Sequence, residues 1–176
     1  MPDRLRERST WIELVLVVVS LTAAGLVGAF VWDWLWTAPV GMAYDQQWVP
    51  QDEVGLQELF DATGWYVVVA GVAGLLAGFA VTLLFDRMPL LTLAGVVVGS
   101  ILGTIVMLQV GAALGPADPQ EAARTAADGT LLPGPLEVTG RTPWIAMPGG
   151  ALIALTVVFV ALGPRRTSPM DDLNVN

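Results

Sequence analysis

The chain has no histidine, no cysteine and no lysine, and its eight basic residues are all arginine. Each absence closes a route to chemistry. Without His there is no Ser-His-Asp triad and no imidazole proton shuttle. Without Cys there is no thiolate nucleophile, no disulfide and no thiolate zinc site. Without Lys there is no Schiff base and no phosphate-loop lysine. The net charge of −8 leaves no basic face for nucleic acid. Carboxylates, arginines, backbone groups and packing remain. The inventory points away from an enzyme and assigns no catalytic, cofactor-binding or metal-ligating residue.

Charge is scarce too, at 14% of residues, and thinnest in four long apolar runs. These cover 11–36, 65–85, 90–114 and 144–162, each near the twenty or so residues that a membrane helix needs. A hydrophobic fraction of 55% and a mean hydropathy of +0.66 agree. The expected fold is an all-α membrane protein with one domain over 1–176, a four-transmembrane-helix bundle. Outer segments 37–64 and 115–143 form a small extracytoplasmic cap of short helices and a short β-hairpin. The first run follows a basic start, as a cleaved leader does. It continues to Trp36 without a small-x-small site and exceeds a leader's apolar core, so it reads as a span.

Arginine placement sets the expected sidedness. Arg4, Arg6, Arg8, Arg87, Arg165 and Arg166 flank one end of the spans, and only Arg124 and Arg141 lie at the other. The positive-inside rule then gives a multi-pass plasma-membrane protein with cytoplasmic N- and C-termini. Trp32, Trp34, Trp36, Trp65 and Trp144 fall at the outer interface and Trp11 at the inner one, as in an aromatic belt.

Glycines mark the helix contacts. Gly95, Gly99, Gly103, Gly111 and Gly115 share one register of the third span, with Met107 in the gap. Residues four apart lie on one face, and a glycine groove lets another helix approach closely. The second span answers with Ala70, Gly74 and Gly78, and the first with Ser20, Ala24 and Gly28. The short Arg87–Met88 connection before Pro89 makes spans two and three expected neighbours. The stripe reads first as packing within the bundle, and second as a dimer seam or binding surface. Pro148 in the fourth span predicts a helix that starts near Pro143 and bends. The competing reading starts the regular helix near Pro148.

Ionisable groups inside a membrane are functional candidates. No span carries one at its midplane. Asp33 and Gln109, near the outer end, form the candidate polar site. Glu13 lies near the inner end. Ser20, Thr22, Thr82, Ser100, Thr104 and Thr156 can each return a hydrogen bond to their own helix.

In the first outer segment, residues 38–44 and 47–49 read as strands turned by Asp45-Gln46, without the glycine such turns favour. An amphipathic helix then runs from Val54 until Gly64 stops it before the second span. In the second segment Asp118 caps a helix with Pro119 and Glu121 in its first turn, reaching about Ala127. Residues 136–139 read as a strand beside 40–49. Nine carboxylates fall here: Asp45, Asp52, Glu53, Glu58, Asp61, Asp118, Glu121, Asp128 and Glu137. They lack the D-x-D-x-D-G spacing of a calcium loop, and read as a solvated acidic face. The tail, 167–176, is polar and expected to be disordered.

The Trp-rich end of the first span leading into Ala38-Pro39-Val40, the Gly140-Arg141-Thr142-Pro143 approach to the last span, and the tail motif Asp171-Asp172-Leu173 resemble an actinobacterial family of membrane proteins classed as a domain of unknown function. The resemblance spans most of the chain, which departs from that pattern in its longer acidic outer segments. It implies four spans in a plasma membrane and carries no activity or cofactor. The expected function is a non-catalytic accessory or scaffold protein. Its partners are the lipid bilayer and another membrane protein or a second copy of itself. The alternative is a small oligomeric carrier of ions or small molecules.

Overall fold

A computed structural model describes residues 2–51, 53–85 and 89–162. Four long helices carry the apolar runs: α1 (Pro2–Leu35), α2 (Glu53–Leu84), α3 (Pro89–Leu114) and α5 (Ala146–Leu162). All four are long and apolar enough to cross a membrane. Between them lie β1 (Val40–Tyr44), β2 (Gln47–Pro50), α4 (Pro119–Thr125), β3 (Leu131–Pro133) and a 3-10 turn at Thr142–Ile145. The expected turn residues Arg87 and Met88, and the expected disordered tail, lie outside the described residues.

Close backbone contacts organise the bundle into two parallel pairs. Along α3, Gly95 meets Leu14 and Val17, Gly99 meets Val18 and Leu21, and Gly111 meets the Trp32 ring of α1. At the tightest point, a methyl group on Gly25 would collide with the Gly103 carbonyl. Along α2, Gly74 faces the Met147 carbonyl and Gly78 faces Ala151, while Gly150 of α5 faces the Gly71 carbonyl. Glycine is required at these places because any Cβ would push the helix axes apart.

This pairing corrects one expectation. Helices α2 and α3 make little contact despite the short turn between them; α2 packs on α5 and α1, and α3 on α1 and α5. The ends of the two helices meet where Thr92 Oγ1 donates to the Phe85 carbonyl at 2.8 Å. Along their length each helix follows its glycine face. Those faces are filled by α5 and α1, so α2 does not use Gly74 and Gly78 against α3.

Both long connections meet in one antiparallel sheet of order β2-β1-β3 at the end of the bundle where α1 finishes, the cap end. The hairpin turn sits at Asp45-Gln46, with φ of 49° and 59°. Two residues in the left-handed region are what a tight hairpin with right-twisted strands demands, with or without glycine. The third strand is Leu131–Pro133 rather than 136–139. Gly134 N–H donates to the Pro39 carbonyl at 2.7 Å and extends the ladder by one bond. Leu136 is buried instead, against Gly115. Pro133 fits because β3 is an edge strand with a free side.

Two further expectations change. Gly64 does not end a helix: α2 runs unbroken through it. Interior glycine costs about 1 kcal/mol, and Ala62 and Tyr66, both buried, anchor the helix on either side. The last α-helix does not start near Pro143; it follows the competing reading, with a looser entry and a regular helix that starts near Pro148. It enters through the 3-10 turn, and α5 begins at Ala146, which places Pro148 third in the helix. The first turn has no intrahelical N–H bonds to lose, so proline is tolerated there. Asp118 caps α4 as expected, accepting from Gln120 N–H at 2.8 Å, and the helix stops at Thr125.

Candidate functional site

Among the described residues, the buried side-chain polar atoms that lack a hydrogen-bond partner lie toward the cap end of the bundle. Residues 29, 32 and 36 of α1 share a face at helical spacing, which carries Trp32 into the core instead of to the interface; it is 1% exposed. Its indole N–H donates to the Ala62 carbonyl of α2 at 2.8 Å. Its ring meets Tyr66 edge-on, with centroids 5.3 Å apart. The Tyr66 hydroxyl lies beside Thr104 of α3, yet neither oxygen reaches hydrogen-bond geometry with a partner among the described residues. The Trp36 indole N–H is likewise buried and unpartnered there. Met107 and Met147 complete the packing. All these groups are neutral and none is a strong base, so the cluster supplies rigidity rather than a proton path.

Most of the expected hydroxyl bonds form. Thr22, Thr82, Ser100 and Thr156 donate to their own helices at 2.7–3.1 Å. Among the described residues Ser20 and Thr104 are the exceptions. Asp33 and Gln109 are not brought together: Asp33 is half-buried on α1, whereas Gln109 stands exposed on the outward stripe of α3 with Val98, Ile105 and Ala112. Among the described residues no hydrogen bond or ion pair joins them. Of the tryptophans assigned to an interface belt, Trp11, Trp34, Trp65 and Trp144 are exposed, whereas Trp32 and the Trp36 nitrogen are buried.

A second feature escaped sequence reasoning because its parts are far apart in the chain. A cleft of about 490 Å³ opens between the sheet, α4 and the cap end of α3. Trp48 of β2, Ala112 of α3 and Leu136 form its apolar walls; Pro116, Pro119 and Pro135 stiffen its rim; Asp118, Gln120 and Glu137 supply its polar atoms. The Gln120 side chain holds the open edge of β2 as a neighbouring strand would. Its Oε1 accepts from Trp48 N–H at 3.2 Å and its Nε2 donates to the Trp48 carbonyl at 3.4 Å. The Trp48 indole N–H donates to Leu132 across the sheet. Only the Asp118 cap was legible beforehand.

An outward groove of about 510 Å³ runs between α1 and α2, walled by Val27, Val31, Val72 and Leu76 over Ala24 and Ala73. Among the described residues no three carboxylates converge as a metal site would require. No known family matches this chain, and neither does any curated protein or solved structure.

Proposed function

We propose that the chain is a non-catalytic accessory or scaffold protein of the plasma membrane, crossing it four times with the cap outside and the α2–α3 turn in the cytoplasm. Large aliphatic residues such as Val19, Leu76, Ile101 and Val157 face outward, while glycines turn inward. Water disfavours that arrangement and hydrocarbon favours it. The six-to-two split of arginines supports the sidedness.

Gln109 carries the accessory reading. Its amide projects from an apolar stripe into what would be hydrocarbon, where only another protein's polar group can pair with it. Such interhelical bonds contribute about 1 kcal/mol. A second membrane chain, or a second copy, seated on this stripe would meet the need. Gln109→Leu is expected to release the partner that the parent retains through mild-detergent purification, as read by mass spectrometry, with a melting temperature equal or higher. Unchanged retention would rule this face out. The carrier alternative draws less support, because Asp33 and Gln109 point to no shared path. It would regain ground if Asp33→Asn abolished a flux in reconstituted vesicles.

A further inference from the structure

We propose that α3 pairs with α3 of a second copy in a parallel, two-fold dimer, with the two Gln109 amides bonded to each other across the axis. The inference rests on the accessory reading and deepens it, because it names the partner that Gln109 meets.

Helix α3 carries no charged residue. Of its four polar side chains, Thr92, Ser100 and Thr104 are buried, and only Gln109 is exposed. Gly95, Gly99 and Gly111 turn the other way, onto α1. The outward residues Val98, Leu102, Ile105, Gln109 and Ala112 are all exposed and follow one another at intervals of four, three, four and three. That alternation is the heptad seam on which two helices pack side by side at a small crossing angle, in a membrane as in a coiled coil. A single polar residue in an apolar seam fixes register and the number of helices that join.

The chemistry of the amide selects the occupant. A two-fold axis sets the residues of the seam against their own copies, so a polar group there must be able to bond to itself. A carboxylate or a guanidinium cannot. A primary amide can, because it holds both N–H donors and a carbonyl acceptor. Each Gln109 then donates one N–H and accepts one, and neither carbonyl is left bare in hydrocarbon. Two copies inserted the same way round also carry Gln109 at the same depth, whereas an unrelated chain would need a matching polar group there. No like charges face one another along the seam, although each chain carries −8.

The chain has no cysteine, so a single introduced thiol is unique. Val98→Cys, Leu102→Cys and Ile105→Cys are introduced one at a time into the full chain, which is reconstituted in vesicles with enough lipid that monomer and dimer coexist. Each variant is oxidised and read on a non-reducing gel. All three are expected to form a species of twice the chain mass. Leu76→Cys on α2 and Val157→Cys on α5, also exposed, should stay monomeric. Gln109→Leu in the Ile105→Cys background should slow cross-linking about tenfold. Equal cross-linking of all five thiols, none from the seam, or a rate that Gln109→Leu leaves unchanged would overturn the dimer. If the dimer fails while Gln109→Leu still releases a different chain in mild-detergent purification, the accessory reading stands with another partner. If neither effect is seen, both readings fall.

Discussion

At the scale of single residues, the glycines separate into two kinds that look alike in the sequence. Gly25 is pressed on the Gly103 backbone, whereas a methyl group on Gly64 would meet nothing within 4 Å. The two should therefore respond oppositely to the same change. Gly64→Ala removes unfolded-state freedom in a helix interior and is expected to stabilise by about 1 kcal/mol. Gly25→Ala forces α1 from α3 and is expected to destabilise by about 2 kcal/mol. Denaturant melts in one detergent would check both, and equal shifts would contradict the parallel-pair packing. The same contrast holds for tryptophan. Trp32 and Trp34 are two positions apart and so lie on opposite sides of α1, one in the core and one 81% exposed. Residue type placed both at an interface; only the 3.6-residue period joined to the core's location separates them.

At the scale of elements, local chemistry decides some boundaries and tertiary contacts override others. The α4 cap follows from Asp118-Pro119 alone. The hairpin follows from alternation about Asp45-Gln46, and its turn is the least comfortable backbone in the cap, since non-glycine residues in the left-handed region cost about 1 kcal/mol each. Replacing Asp45-Gln46 with Asn-Gly is expected to stabilise the cap by about 1 kcal/mol and to slow hydrogen exchange at the Ala43 and Trp48 amides. Faster exchange would contradict the strain assigned to this turn, since the backbone N–H of residue 45, which donates to Asp128 Oδ1 at 3.2 Å, survives the replacement. The third strand was misplaced by five residues because Leu136 has the β-pattern of a strand but is claimed by the core beside Gly115. Helix α2 crosses Gly64 for a related reason: packing on both sides outweighs one weak position.

For the whole molecule, sidedness is the property with the clearest test. Reporter fusions ahead of Trp11 and after position 162 are expected to report the cytoplasm, and a tag inserted at Asp128-Gly129 the exterior. Opposite signals from the two ends would remove the four-span reading. The number and apolar character of the four long helices were legible in the sequence, because hydrophobic runs are local sums that need no partner. So were the Asp118 cap and the Asp45-Gln46 turn, which depend on neighbours a few residues away. Which helix answers each glycine was not legible, because helix pairing is chosen by contact between surfaces whose positions are only set once all four helices are in place. For the same reason the sequence could offer Asp33 and Gln109 as a pair, while the fold turned Gln109 outward. The cleft joining Trp48, Gln120 and Glu137 exists only because two distant connections share one sheet, and that is a decision of the tertiary structure.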